Sequence, residues 1–286
     1  MLLKVYHSAF RLCTSKAFPK IDGDMRTVNS VDFAQTSIIA VLLLSSAAPM
    51  PREGGTNDAE VAWRCEADWA MERAEEIEGN NVLPEGRTYQ VNAVPGEKYV
   101  WPGAIIPYTI DPGIEKLYET IRKAMDAIES GTCLRFVKRT NEKDYIRIFK
   151  GKGCSSLVGR RGGAQPVSLG EGCSNVTLIE HELLHAAGFF HEHMRPDRDQ
   201  YITIIKENID PKYYPEFQKL HLGPHDNLVP FDTDSVMLYG GHAFAREPGL
   251  TTMMAKDGTV LIPIYNKTGL SDTDILSVNI LYNCSN

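Results

Sequence analysis

Nowhere does the sequence hold an apolar stretch long enough to span a bilayer comfortably. The longest, SIIAVLLLSSAA at residues 37–48, is serine-rich and falls short of the about 20 residues that a spanning helix needs. A basic surplus is missing too: 30 Lys and Arg stand against 37 Asp and Glu, for a net charge of -7. Without excess cations to neutralise phosphates, a general nucleic-acid binder is excluded. No internal repeat is visible. The Gly-rich stretch GRRGGAQPVSLGEG at 159–172 lacks the lysine and hydroxyl spacing of a phosphate loop and reads as loop plus edge strand. What is there is ordinary for a globular protein: 286 residues, 43% hydrophobic and 23% charged, ample for a packed core.

The short apolar run has a different use. It fits the core of a signal peptide, followed by small residues near Ser46 and Ala48, with Met25 and Arg26 as a normal start. Residues 1–24 then form an upstream extension, 25–48 the signal peptide, and the protein is secreted and extracellular. In that setting disulfides are the default state of cysteine. Of six cysteines, Cys13 precedes the signal and Cys65 stands alone after it, leaving Cys133, Cys154, Cys173 and Cys284 in the body of the chain. Residues 49–91 are set apart by composition, first turn-rich (PMPREGGTNDAE) and then acidic (EADWAMERAEEIEG).

Regular patterning begins after Asn92. AIIPYTI (104–110) reads as a strand, and residues 113–130 place Ile114, Leu117, Ile121, Met125 and Ile128 on one helical face. CLRFVKR and YIRIFKG follow as two further strands. From Pro196 the pattern fades into Pro-, Gly- and Asp-rich text, until SDTDILSVNILYNC offers a last helix capped by Ser271.

One window carries the chemistry: HELLHAAGFFHEH, residues 181–193. It lies in a predicted helix, with Thr177 as the expected cap and Leu178, Leu183, Leu184 and Ala187 for burial. His181 and His185 are four apart, so their imidazoles leave one face of the helix about one turn apart, as two ligands of a tetrahedral cation must. Glu182 is too close to the first ligand to be a convenient third, and is placed to act as a general base. Gly188 can end the helix in a conformation other residues avoid, letting His191 turn back as the third ligand. His193, His221, His225 and His242 have no ligand spacing to this triad.

The run from His181-Glu182 through His185, Gly188, Phe189, His191, Glu192, Arg195, Asp197, Arg198 and Asp199 to Tyr201 resembles the signature of the astacin family of zinc endopeptidases. Glutamate directly after the third histidine looks like astacins rather than other metzincins. SVMLYGG resembles the family's Met-turn, and KYVWPGAIIPYTI the start of its mature domain, so the likeness covers about residues 92–284. Leu238 departs from the histidine many members carry between the methionine and the tyrosine.

The resemblance implies an α+β, zincin-like catalytic domain over 92–286. Its N-terminal subdomain would carry a twisted, mostly parallel sheet and two long helices. Its C-terminal subdomain would be largely irregular with a terminal helix, and the active-site cleft would lie between the two. It implies one Zn²⁺ held by His181, His185 and His191, Glu182 as base, and Tyr239 as a phenol that moves from the metal to the oxyanion. It also implies Met237 as a structural floor, and bridges Cys133–Cys284 and Cys154–Cys173. Protein or peptide substrates are the expected partners, cleaved at internal bonds.

Latency is implied as well. Residues 49–91 would be a propeptide removed by an activating protease, and the residue aligned with the family's capping aspartate is Asn80, a weaker partner for a dication, with Glu78 nearby. The mature start aligns at Asn92, and Glu192 would receive the new amino terminus. No stable membrane association and a monomeric form are expected. Two other readings stay open at this stage: a catalytically inactive secreted binding protein, and a structural zinc domain, disfavoured because structural sites take four protein ligands. Sequons at Asn175, Asn266 and Asn283 fit secretion, Asn175 least because it adjoins the metal helix.

Overall fold

The computed structural model describes residues 93–94, 97–220 and 229–285. The expected extension, signal peptide and propeptide with Glu78 and Asn80, the start at Asn92, and Cys13, Cys65, His221 and His225 lie outside those residues.

Strand β1 (Ile105–Ile110) alternates less than a surface strand because Ile106, Pro107 and Tyr108 are all buried. Asp111, Pro112 and Gly113 end it, Gly113 at a φ of 103°. A 3-10 turn (Glu115–Leu117) leads into α1 (Tyr118–Gly131), whose buried face is Ile121, Ala124, Met125 and Ile128. The helix therefore starts later than its periodicity suggests. Ile114 still reaches the core, from the turn ahead of it. Each of these isoleucines and Met125 contributes about 1.5–3 kcal/mol by leaving water.

β2 (Arg135–Lys138), β3 (Tyr145–Phe149), β4 (Cys154–Ser156) and β5 (Ala164–Leu169) complete a sheet in the order β2-β1-β3-β5-β4. All neighbours are parallel except β4 and β5. A parallel return needs a long crossover, which α1 supplies between β1 and β2. β5 is an interior strand, where the sequence suggested an edge. The reason for the local edge-like signal is visible: pairing with β4 stops at Val167, one residue short of Pro166, so the proline sits beside an open flank.

Helix α2 (Val176–Ala187) is buried on every side from Thr177 onward and packs on α1 and the sheet. Beyond it the described chain is mostly irregular, broken by short 3-10 turns. The exceptions are a small antiparallel pair, β6 (Ile202–Ile204) with β7 (Met253–Ala255), and the closing helix α3 (Asp272–Leu281). Ser271 and Asp274 cap α3 reciprocally, each side chain accepting the other's backbone N–H.

Cys133–Cys284 joins the end of α1 to the residues after α3 across 151 positions, and Cys154–Cys173 links β4 to the approach of α2. On the chain-entropy model the long bridge stabilises by roughly 4–5 kcal/mol. Among the described residues no helix is long and apolar enough to cross a membrane.

Candidate metal centre

The site is built on α2. Its N-cap is Asn175, whose Oδ1 accepts the Thr177 N–H at 2.7 Å, so Thr177 is the capped residue and not the cap. Asparagine caps as well as threonine, and here its Nδ2 also donates to the Tyr265 carbonyl at 3.1 Å, which decides between the two. Six residues on, His181 and His185 leave the same face with ring centroids 4.4 Å apart.

The helix ends at Gly188, whose φ of 122° suits glycine and strains other residues. Its N–H bonds back to the Leu184 and His185 carbonyls at 3.0 and 2.8 Å. The reversal aims the Phe189 carbonyl at His185 Nδ1, 2.7 Å away, and brings His191 round to the first two rings. His191 Nε2 then lies 3.0 Å from His185 Nε2 and 3.3 Å from His181 Nε2, and the remaining pair is 3.0 Å apart.

These three nitrogens fit a zinc ion. A carbonyl oxygen can only accept, so the contacts of His181 Nδ1 with the Val236 carbonyl and of His185 Nδ1 with that of Phe189 place the protons on Nδ1. Nε2 of both rings is left with a lone pair directed at the common centre. Nitrogens about 2.0–2.1 Å from a tetrahedral zinc lie about 3.3 Å from one another, close to the observed spacing. Three imidazoles also match a catalytic donor set, where a structural site takes four protein ligands. Among the described residues this is the only group of His, Cys, Asp or Glu so clustered. Burial lowers the pKa of all three imidazoles, that of His185 to about 4, so they are neutral at neutral pH, the form that binds metal.

Around the triad, Glu182 is fully buried next to His181, and the Tyr239 ring lies 4.6 Å from the His191 ring and 5.7 Å from that of His181. Met237 is buried, and its carbonyl accepts the Glu192 N–H at 2.8 Å, tying the SVMLYGG turn to the third-histidine segment. His193 is buried against the His191 and Tyr239 rings and bonds through Nε2 to the Glu216 carbonyl at 3.0 Å, while His242 is exposed.

Sequence reasoning quoted Arg195 but gave it no task. Its guanidinium, 1% exposed, donates to Glu192 Oε1 at 3.0 Å, to both Asp197 oxygens and to the Val229 and Pro230 carbonyls. Glu192 Oε1 also accepts the Asp232 N–H at 3.1 Å. Burial pushes the Glu192 carboxyl up, to about 8, against the opposing pull of Arg195 and of that N–H. A local signal existed, since arginine three residues after glutamate is a familiar helical pairing, but the buried carbonyl acceptors had none. Further out, Trp101 Nε1 donates to the Ala186 carbonyl at 2.8 Å and fastens the segment before β1 to the end of α2.

Comparison with known proteins agrees with this geometry. The peptidase family described as Astacin matches residues 93–283. The chain is 41% identical over 213 residues to "Astacin-like metalloprotease toxin 1" of Loxosceles intermedia, covering 73% of this chain and 81% of that protein. It is 37% identical over 247 residues to "Astacin-like metalloendopeptidase" of Gallus gallus, covering 83% of this chain and 58% of the relative. Among solved structures it resembles high choriolytic enzyme 1, a hatching enzyme zinc-protease from Oryzias latipes (Medaka fish). That likeness has a TM-score of 0.62 and 37% identity, over 68% of this chain and 100% of that one.

Proposed function

The chain belongs to the astacin family and is a zinc metalloendopeptidase, and from that premise we propose that it is a secreted enzyme in which Glu182 is the general base. The observation that carries the reading is the convergence of three neutral imidazoles from one helix and the turn after it, with a buried carboxylate beside the first. His181, His185 and His191 hold the metal.

When bound there, zinc supplies Lewis acidity, which lowers the pKa of a water and polarises a peptide carbonyl. Glu182 takes the proton of the attacking water and passes it to the leaving amine. Tyr239 donates its phenol to the oxygen that becomes negative in the tetrahedral intermediate. Met237 and Glu192 fix the floor and the third-ligand segment through their backbone contact. The chain is made with a signal peptide at 25–48 and a propeptide at 49–91. An activating protease removes the propeptide, whose Asn80 caps the zinc only weakly. The mature protein is an extracellular monomer.

Casein or gelatin cleavage by the processed chain tests this, repeated with a zinc chelator and with Glu182→Ala. Cleavage lost in both is expected. No cleavage by the wild type would favour a binding protein, and activity surviving Glu182→Ala would remove the base from the mechanism.

A further inference from the structure

We infer that Asp274, at the start of α3, is a positioning residue for the metal ligand His181, acting through Ser235 and the peptide between Val236 and Met237. The inference rests on the zinc-centre reading above. His181 donates its Nδ1–H to the Val236 carbonyl at 2.7 Å. The N–H at the other end of that same peptide, that of Met237, donates to Ser235 Oγ at 3.0 Å. The Ser235 hydroxyl in turn donates to Asp274 Oδ1 at 2.6 Å, and the Val236 N–H to Asp274 Oδ2 at 3.0 Å. An unbroken series of hydrogen bonds therefore joins a carboxylate on the last helix to the imidazole of the first ligand. Bonds in such a series polarise one another, and a ligand histidine's outer partner sets its ring orientation and basicity.

Two features separate this from simple helix capping. A cap needs one acceptor for the Ser271 N–H and works at the surface, whereas Asp274 is buried and takes three donors, two of them from the 235–236 segment. Burying a carboxylate is costly unless its hydrogen bonds are made. The same segment has a second anchor, the buried Lys267 ammonium, which donates to the Ser235 and Thr233 carbonyls. The acceptor of His181 is thus held both by Asp274 of α3 and by Lys267.

Zinc affinity, measured by competition with a chelator of known affinity, together with Tm, tests the relay in wild type, Asp274→Asn, Ser235→Ala and Ser271→Ala. A neutral amide cannot accept all three donors, so Asp274→Asn is expected to bind zinc about tenfold to 100-fold more weakly. Ser235→Ala is expected to weaken it in the same direction, and decides the matter alone where Asp274→Asn does not fold. Ser271→Ala, which removes the cap and leaves the relay, is expected to lower Tm without changing zinc affinity. Unchanged zinc affinity in Ser235→Ala, or an equal loss in Ser271→Ala, would overturn the relay. Wild type without one tight zinc, or His181→Ala that keeps it, would overturn the zinc-centre reading and the relay with it.

Discussion

Val94 donates its backbone N–H to the Gly188 carbonyl at 2.8 Å, directly after Ala93 bridges Phe189. The head of the catalytic domain is thereby laid across the turn that ends α2 and delivers His191. A Cβ at position 188 would meet Val94 Cγ2 at 2.9 Å, at a φ of 122°. Gly188→Ala is expected to cost about 1–3 kcal/mol of stability and to weaken zinc binding, because the turn must open to relieve both conflicts. Denaturation and zinc titration check this together, and wild-type values in both would refute it.

The buried contact of Glu192 with Arg195 makes a second prediction. Arg195→Met strips the buried guanidinium from Glu192, from its ion-pair partner Asp197 and from two backbone carbonyls, so the expected loss is about 3–5 kcal/mol. Arg195→Lys recovers little, since one ammonium cannot replace a fork that reaches Asp197 and two backbone carbonyls. Adding Glu192→Gln to Arg195→Met should restore part of the loss. Urea melts of the single and double variants measure the coupling. Additive losses would show that the two residues act apart.

Legibility in the sequence followed distance along the chain. The helix carrying His181 and His185, its glycine stop and His191 lie in one short window, so helix period and turn chemistry were enough to predict that the three rings meet. β1, β2 and β3 showed because each carries enough alternating or β-branched residues. The pair β6 and β7 did not, having three residues each. Strand order was equally hidden, which is why β5 looked like an edge. The same limit hid the contacts around these histidines. Val236 is 55 residues from His181, and Asp274 is 39 from Ser235. Such partners leave no periodic trace. Within SDTD the aspartate could be read only as part of a helix start.

Asn175 illustrates how a local motif and a tertiary contact compete. It heads a glycosylation sequon, yet its Oδ1 caps α2 and its Nδ2 is committed to the Tyr265 carbonyl. A glycan on Nδ2 would have to break that contact at a half-buried position. Expressed through a secretory pathway, the chain is expected to carry no glycan at Asn175, whereas Asn266 and Asn283 are exposed. Peptide mass spectrometry before and after deglycosylation reads this directly. Asn175→Ala should cost about 1 kcal/mol as an ordinary cap loss.

The sharpest division of labour is between Glu182 and its neighbour His181, which adjoin on α2 but are assigned different tasks. Glutamine at 182 keeps the volume and a hydrogen-bonding end, but cannot accept a proton at neutral pH. Glu182→Gln should therefore fold, hold one zinc and keep a near-normal KM, while kcat falls about 10²–10⁴-fold. His185→Ala removes a donor atom instead, and should lose both zinc and activity. Metal content by elemental analysis, with kcat and KM on one peptide substrate, separates the two variants. If Glu182→Gln also lost its zinc, the carboxylate would be supporting the ligands. If it kept both zinc and turnover, the base would have to be sought elsewhere in the cleft.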